Sequence, residues 1–514
     1  MTQGSPPAIF ITAAEAYPAL ERAFLAAEAE IIGSFLVFDP ETRLRSPEAL
    51  AVGTRWFDLI VHCLRRGVAI RLTLSDFDPV ARSKGHRATW RALRLLQAAA
   101  EVAGPGARLE VRAARHPAST GWIPRLLISP LIMARLWRAA GWLNRLAPAR
   151  RSTALRDMPG LAALMRVRAD GRVRPRLWPV PVLYPGTHHQ KIAVFDRKRL
   201  YVGGLDLNER RYDDPDHRRA SDQTWHDVQL LVEGPVAADA ARHLERFEAV
   251  CAGHKAPEPT GDLLVTLSRK RRGQPWRFGP DPLMQGIYDA HLAAISAAKG
   301  LIYLESQYFR DGPLTRALCA AARRRPDLRL ILILPGAPEE LAFEGKDGLD
   351  SQMGEWHQAR CLRRLKRAFG ARLFIGGPAQ RRRGRARQKE GRDLLSDAPL
   401  IYVHAKISVF DHVALVSSAN LNGRSMRWDT EAGVALHDPA VVSDLRNRAM
   451  AHWLPDGADA RFFSPETAVE AWRGLALSNA ARAPEARQGF ILPYDLRAAE
   501  KFGTPVPFLP PEMV

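Results

Sequence analysis

Two short segments of this chain repeat one pattern, and this repeat constrains the fold more than any other feature. The first segment reads HHQKIAVFD and the second reads VHAKISVFD. Both fit H-x-K-I-x-V-F-D, and the recurring polar residues are His189, Lys191 and Asp196 in the first copy and His404, Lys406 and Asp411 in the second. The β-branched and aromatic centre predicts a buried strand in each copy. Because strand side chains two apart share a face, each copy presents an imidazole and an ammonium together.

The aspartate of each copy lies seven residues after the histidine, an odd offset that directs it away from the shared face. We therefore interpret Asp196 and Asp411 as structural residues. A second apolar strand follows each copy and ends in small residues, which allow a close backbone approach. These are Gly203 and Gly204, then Asp206, after the first copy, and Ser417 and Ser418, then Asn420, after the second. Each repeat is thus predicted to be a hairpin-like unit with a polar side chain at its end.

Two such units supply two imidazoles and two fixed cations, and this set suits a phosphodiester. The cations would neutralise the non-bridging oxygens, one histidine would attack phosphorus, and the other would protonate the leaving alcohol. The paired motif resembles the signature of the phospholipase D superfamily. The flanking segments GGLDLNERRYDD, TWHDVQLLVEGP, LIYLESQYF and SSANLNGRSMRWDTEAG are similar to those of phospholipase D proper.

This resemblance implies a covalent phosphohistidine intermediate, with His189 as the nucleophile and His404 as the general acid. It also implies an orienting carboxylate for each imidazole: Asp227 for His189, and Glu431 for His404. Lys191 and Lys406 would hold the phosphoryl oxygens. The substrate-binding candidates are Asn420, Asp206 and Gln307, although Asp206 stands where many members have asparagine, which leaves its direct phosphate contact open.

A strand, a helix and a second strand are predicted before each copy, and the two histidines are 215 residues apart. The repeat is therefore longer than its motif. We predict an α/β protein with two similar α-β-α sandwich domains, residues 1–255 and 256–514. These would be related by pseudo-twofold symmetry, with the active site at their interface.

The charge composition favours an anionic partner. The 75 lysine and arginine residues exceed the 55 acidic residues, for a formal charge of +20, which favours anionic lipid or nucleic acid. Residues 131–146 predict a helix with one aromatic-aliphatic face and one arginine face. Such a helix suits a membrane interface, or equally a helix that covers its own domain. We expect a monomer that binds phospholipid at a membrane surface; nucleic acid is a less favoured partner.

The four cysteines are scattered and form no CxxC, and the first residues lack the pattern of a secretory signal. These features predict a cytoplasmic protein with peripheral membrane association. The sequence has no cluster with metal-ligand spacing, and the paired lysines can take a metal's electrostatic role. We expect chemistry that needs neither metal nor cofactor.

The leading hypothesis is hydrolysis of glycerophospholipids to phosphatidate and a head-group alcohol, with transfer to other alcohols as a side reaction. A cardiolipin synthase-like phosphatidyl-transferase and a nuclease of the same superfamily are the enzymatic alternatives. The non-catalytic alternative is a binding module with a vestigial site. The intact histidine and lysine of both copies weigh against this alternative.

Overall fold

The structure, a computed structural model, describes residues 6–176, 178–271, 273–344, 348–384, 392–506 and 509–513. In its first part the strands are β1 Ala8–Ile11, β2 Glu30–Phe35, β3 Ala69–Ser75, β4 Leu109–Ala114, β5 Met165–Val167, β6 Val173–Pro175, β7 Ile192–Phe195, β8 Arg199–Gly203 and β9 Val228–Glu233. The helices are α1 Ala13–Leu25, α2 Pro47–Leu50, α3 Trp56–Arg65, α4 Ser83–Ala103, α5 Trp122–Leu127, α6 Ser129–Arg145, α7 Pro148–Arg156, α8 Pro159–Ala162 and α9 Pro235–Cys251.

The second part continues with the same kinds of element. Its strands are β10 Leu263–Arg269, β11 Asp281–Gln285, β12 Leu301–Ser306, β13 Arg329–Ile333, β14 Leu373–Pro378, β15 Leu394–Leu395, β16 Ala398–Pro399, β17 Lys406–Val409, β18 Ala414–Ser417, β19 Glu431–Leu436 and β20 Ile491–Pro493. Its helices are α10 Gly286–Ala297, α11 Gly312–Arg324, α12 Glu339–Ala342, α13 Leu349–Phe369, α14 Gly423–Arg427, α15 Pro439–Trp453, α16 Ala468–Ala480 and α17 Leu496–Phe502.

Two large mixed sheets organise these elements. The first has the strand order β1-β9-β8-β7-β2-β3-β4, and the second has β11-β10-β19-β18-β17-β12-β13-β14-β20. The inner seven strands of the second sheet repeat the order of the first, strand for strand. Both sheets pair parallel where strand, helix and strand alternate, and antiparallel around the hairpins β7-β8 and β17-β18. The predictions of an α/β fold and of a hairpin in each repeat are confirmed.

The apolar residues of the motif strands point alternately to two cores, as the pleat requires. Ile192 and Val194 of β7 enter a core shared by both sheets, whereas Phe195 enters the core under α1, α3 and α4. In β17, Ile407 and Val409 enter the same shared core. A third core lies under α10, α11 and α13. Each motif histidine therefore stands at the end of a strand that is buried on both faces.

The strands of the first sheet all precede residue 255, and those of the second all follow residue 256. The shared core nevertheless draws residues from both sheets and from α9, α15 and α16. Residues 1–255 and 256–514 thus correspond to separate sheets with common packing between them, and their division into two domains stays a prediction.

Candidate active site

The carboxylate partner of each motif histidine comes from the other half of the sequence. Nδ1 of His189 lies 3.0 Å from both carboxylate oxygens of Glu431, and Nδ1 of His404 lies 2.6 Å from Oδ2 of Asp227. The predicted pairing of Asp227 with His189 and of Glu431 with His404 is therefore wrong. Both carboxylates are fully buried. By engaging Nδ1, each fixes the ring orientation and leaves Nε2 as the nitrogen for chemistry.

Backbone hydrogen bonds between the halves explain this exchange. The His189 amide donates to the carbonyl of Thr430, and the His404 amide donates to the carbonyl of His226, both at 2.8 Å. Glu431 and Asp227 are the next residues in each case. Within one sheet, by contrast, β8 or β18 separates the motif strand from the carboxylate strand. The motif strand and the carboxylate strand of one sheet are therefore not hydrogen-bonded neighbours, whereas the contact between the halves is direct.

The two motif lysines have different surroundings. Nζ of Lys191 donates to the carbonyl of His189 at 2.5 Å and lies 3.7 Å from Oδ2 of Asp206. Nζ of Lys406 lies 2.9 Å from Nδ1 of His404 and donates to that residue's carbonyl. Burial lowers the pKa of both ammonium groups, that of Lys406 to about 7. Lys191 is thus neutralised by a carboxylate within its own half, whereas Lys406 contacts the histidine itself.

Burial also sets the protonation of the imidazoles and carboxylates. It lowers the pKa of His189 and of His404 well below the usual range, and the neighbouring lysines lower both further. The charge of His189 contributes to the shift at His404, so the two rings interact electrostatically. Burial raises the pKa of Asp227 and of Glu431 to about 7. The resting site therefore has neutral imidazoles able to attack, beside carboxylates that exchange a proton near neutral pH.

The three substrate-binding candidates lie in different environments. Asp206 is fully buried and accepts a hydrogen bond from the Val37 amide at 2.7 Å, besides its ion pairs with Lys191 and Arg211. The Gln307 amide donates to the hydroxyl of Tyr402 at 2.9 Å. Asn420 is buried, and its side-chain oxygen has no hydrogen-bond partner within the described structure. Of the three, Asn420 alone has a buried side-chain atom without a partner, an oxygen that can accept a hydrogen bond from a donor.

The motif aspartates accept backbone hydrogen bonds at the start of a neighbouring strand. The Asp196 carboxylate accepts hydrogen bonds from the amides of residues 28–30, and the Asp411 carboxylate accepts them from the amides of residues 299–301. Residues 30 and 301 begin the strands β2 and β12 next to each motif strand. The structure thus places both aspartates at the start of a neighbouring strand and away from the histidines.

Two neighbours of His404, Trp225 and Arg211, were not predicted from the sequence. The Trp225 ring lies 4.7 Å from the His404 ring, and the Arg211 guanidinium lies 4.9 Å from the Trp225 ring. At Gly204 a Cβ atom would lie 2.2 Å from Oδ1 of Asp227. This glycine therefore makes room for the orienting carboxylate. The position of Trp225, two residues before Asp227, was the available signal.

A separate histidine cluster is the group most suited to a metal ion. Single ring nitrogens of His217, His226 and His452 lie within 4.8 Å of one another in the described part of the chain. His217 also contacts Asp213 at 2.7 Å, and His226 contacts Glu305 at 2.8 Å. Carboxylate-supported imidazoles of this kind can bind a transition metal. Sequence spacing did not predict the cluster, because its members are distant in the chain.

The predicted helix exists as α6, and its aliphatic residues form a buried face, whereas Trp137 lies outside that face. Ile132, Leu136 and Leu143 pack into a small core of their own region. Trp137 is 49% exposed on α6, and Leu127 at the end of α5 is 73% exposed. Among the described helices, none is both long enough and apolar enough to cross a bilayer. The run of basic residues at 380–392, whose charge density predicts a loop, falls largely on residues 385–391, outside the described residues.

Comparisons with known proteins agree with the repeat. A family profile described as "Cardiolipin synthase, PLD-like domain" matches residues 292–453. Phospholipase D1 of Schizosaccharomyces pombe is 26% identical over 50% of this chain and 25% of its own length. Cardiolipin synthase of Listeria monocytogenes serotype 4a is 26% identical over 51% of this chain and 46% of its own. The matched regions thus span less than half of either relative.

The solved structure of phosphatidylserine synthase from Haemophilus influenzae Rd KW20 aligns over 93% of this chain and 94% of its own, at 13% identity. Its TM-score is 0.46, too low to carry an argument. The sequence matches, together with the doubled motif whose histidines the fold sets beside buried carboxylates, identify this chain as a member of the phospholipase D superfamily.

Proposed function

We propose that this protein cleaves the distal phosphodiester of glycerophospholipids by a two-step mechanism, releasing the head-group alcohol and phosphatidate. The observation that carries this proposal is the exchange of carboxylates between the halves. It fixes two neutral imidazoles, each through Nδ1, beside two buried lysines. A phosphodiester needs a nucleophile, an acid for the leaving oxygen and cations for the non-bridging oxygens, and this set supplies all three. The proposal includes two pseudo-symmetric domains with the site between them.

In the first step, Nε2 of His189 attacks phosphorus and the bond to the head-group oxygen breaks. His404, which takes up a proton at Nε2 when the anionic phosphodiester binds, gives that proton to the head-group oxygen. In the second step, His404 takes a proton from water, and the resulting hydroxide displaces His189 from phosphorus. Another alcohol in place of water gives transfer instead of hydrolysis. Lys191, Lys406 and Asn420 stabilise the charge that grows on the non-bridging oxygens.

His189 is proposed as the nucleophile because it is the more accessible of the two. Its side chain is 14% exposed, against 4% for His404. A phospholipid approaching from solvent reaches the more exposed ring first. The Trp225 ring, in turn, covers His404 and keeps bulk water from competing for the proton that it carries.

We also propose attachment to an anionic bilayer through the region of α5 and α6. Residues 111–156 contain nine arginines and no acidic residue. The exposed apolar side chains of this region include Trp122, Leu127 and Trp137. Exposed tryptophan and leucine beside arginine suit the boundary between head groups and acyl chains. Gly121 and Ile123 donate to backbone carbonyls of residues 277 and 275, and Trp276 between them is itself 60% exposed.

One experiment separates the candidate substrates. Purified protein is incubated with phosphatidylcholine vesicles in dilute ethanol, and separately with single-stranded DNA. We expect phosphatidylethanol and phosphatidate from the vesicles and no shortening of the DNA. DNA cleavage without a lipid product would refute the proposal, and the His189→Ala protein controls for a contaminating enzyme.

A phosphatidyl-transferase is the second candidate, because the matched profile and one relative carry the name cardiolipin synthase. The same site would serve, with the hydroxyl of a second phospholipid in place of water. Vesicles of phosphatidylglycerol alone test it. Cardiolipin and glycerol as main products would favour the transferase, whereas phosphatidate and glycerol would favour the hydrolase.

A further inference from the structure

A cavity of about 510 Å³ lies in the second half of the chain, apart from the motif histidines. Its walls come from α11, α13, the short helix α14 and the segment around residue 512. We call it the cationic cavity, and define it by its basic residues Arg310, Arg316, His357, Arg360, Arg364 and Arg427. A concave site of this volume fits a small molecule or a lipid head group and is too small for a nucleic-acid duplex.

The arginines of the cationic cavity are largely without counter-charges. Among the described residues, Arg310, Arg316, Arg360 and Arg364 form no ion pair, whereas Arg427 is paired with Asp311 at 2.7 Å and with Glu512 at 3.2 Å. Exposed arginines on a surface commonly lack partners, but here four of them converge on one cavity. Their mutual repulsion favours a ligand that brings negative charge.

Arg310 is the most informative member because it is buried. Its residue is only 8% exposed, and its Nε has no hydrogen-bond partner in the described structure. A Cβ atom at Gly354 would lie 2.5 Å from Nη1 of Arg310, so the guanidinium packs directly against the backbone of α13. A buried, unsatisfied donor on a fixed charge indicates a place for an acceptor.

The lowered pKa of the nearby His357 is consistent with the positive charge of the cationic cavity. Burial, together with the charges of Arg310 and Arg360, lowers the pKa of His357 to about 4. His357 is thus neutral at physiological pH and can donate or accept a hydrogen bond at the cavity wall without adding charge.

We propose that the cationic cavity binds a phosphate ester carrying two or more negative charges. Guanidinium groups match phosphate oxygens in bidentate geometry, and several of them around one cavity suit a phosphomonoester or a diphosphate better than a single carboxylate. Glu512 occupies one edge of the cavity through Arg427, so an incoming phosphate competes with this carboxylate.

The cavity is joined to the candidate active site by backbone. The Arg310 amide donates to the carbonyl of Leu421 at 2.8 Å, and Gly423 lines the cavity. Leu421 follows Asn420, whose side-chain oxygen is unsatisfied. A phosphate held by Arg310 therefore stiffens the loop that carries Asn420.

Binding is measured by calorimetry on the full chain, with inorganic pyrophosphate as the soluble probe. A second arm uses vesicles of phosphatidylcholine with and without phosphatidate, whose head group is a phosphomonoester. We expect pyrophosphate to bind one site with unchanged affinity in the His189→Ala protein. Binding to phosphatidate vesicles that weakens when Arg316 and Arg364 are replaced, without binding to pyrophosphate, would assign the cavity to a lipid head group. Binding to pyrophosphate alone would assign it to a free phosphate.

The test variant is Arg316→Gln combined with Arg364→Gln, and the matched control is Arg323→Gln combined with Arg324→Gln on the exposed side of α11. Both remove two positive charges. We expect the test variant to lose affinity for the bound probe about tenfold or more, because it removes charged hydrogen-bond donors. The control keeps the affinity of the native protein. Glu512→Gln should tighten binding, because it removes the competing carboxylate.

Equal affinities in the test and control variants would overturn the proposal, as would the absence of binding to both probes. Failure of this inference is distinguishable from failure of the proposed function, since binding is measured without turnover. A native protein that binds pyrophosphate but cleaves no phospholipid retains the cavity and refutes only the proposed activity.

Discussion

The two copies of the motif differ in how their lysines are neutralised. In the first half, Lys191 is fully buried and lies 3.7 Å from Asp206, which also pairs with Arg211. In the second half, Lys406 contacts His404, and the corresponding polar position is Asn420, with an unsatisfied oxygen. A repeated sequence therefore does not give repeated electrostatics. The lysine of the first half is paired with a carboxylate of its own half, whereas Lys406 forms no ion pair within 4 Å among the described residues.

The largest expected effect tests whether the two histidines have different tasks. His189→Ala should lower turnover about 10⁴-fold or more and abolish covalent phosphate labelling, because it removes the nucleophile. His404→Ala should also lose turnover, yet still form the labelled intermediate from a substrate with a good leaving group. Quench-flow labelling measures both, with the exposed His254→Ala as control. Labelled His189→Ala protein would mean that the roles are reversed.

The next effect tests the exchange of carboxylates. Glu431→Gln should slow formation of the intermediate about 10²- to 10⁴-fold even with a p-nitrophenyl leaving group, because it disturbs the tautomer of His189. Asp227→Asn should leave formation of the intermediate from the p-nitrophenyl substrate nearly unchanged. It should slow the reaction of the natural phospholipid, because that leaving group needs a proton from His404. If each carboxylate served the histidine of its own half, the two variants would show the opposite pattern. Single-turnover kinetics with both substrates distinguishes these outcomes.

A third comparison distinguishes a structural role of Asp206 from the proposed substrate-binding role of Asn420. Asp206→Asn should lower the free energy of unfolding by about 3–5 kcal/mol, because it leaves Lys191 and Arg211 buried without their carboxylate. Asn420→Ala should lower kcat about 10²-fold, with less than about 1 kcal/mol of destabilisation. Denaturant unfolding and steady-state kinetics measure the two effects. A stable Asp206→Asn protein with the same kinetic defect as Asn420→Ala would assign Asp206 to substrate binding.

The smallest effect concerns pH. Activity should rise as Asp227 and Glu431 lose protons around pH 7, and fall at higher pH as Lys406 loses its proton, also near 7. The result is a narrow bell in kcat/KM. Lys406→Arg should keep kcat/KM high on the alkaline side of the profile, because the guanidinium group stays charged. The exposed Lys299→Arg is the control, and an unchanged alkaline limb in Lys406→Arg would exclude Lys406 as its origin.

Much of the fold was predictable because the local patterns agree with it. The I-x-V-F strands, the hairpins after them and the strand-helix-strand units before them all depend on period and side-chain shape within short segments. The site residues were also named from the repeat. The partners of the histidines were not predictable, since order along the chain suggests that a carboxylate serves the nearest preceding histidine.

The histidine cluster of His217, His226 and His452 and the cationic cavity were missed for the same reason. Their members are spaced widely along the chain, and only packing brings them together. The predicted helix at 131–146 was located correctly as α6, but the sequence left open which of its faces would be buried. Packing decided that, by giving Leu136 and Leu143 a core to enter and leaving Trp137 outside it.

The sequence by itself determined which groups this protein can bring to a reaction: two imidazoles, two ammonium groups and the strands that carry them. Tertiary structure alone decided which carboxylate meets which imidazole. One intervening strand separates the strand of Asp227 from that of His189 within the first sheet, whereas a backbone hydrogen bond between the halves sets Glu431 beside His189. Hydrogen bonds depend on distance in space, and the linear order of residues does not contain that distance.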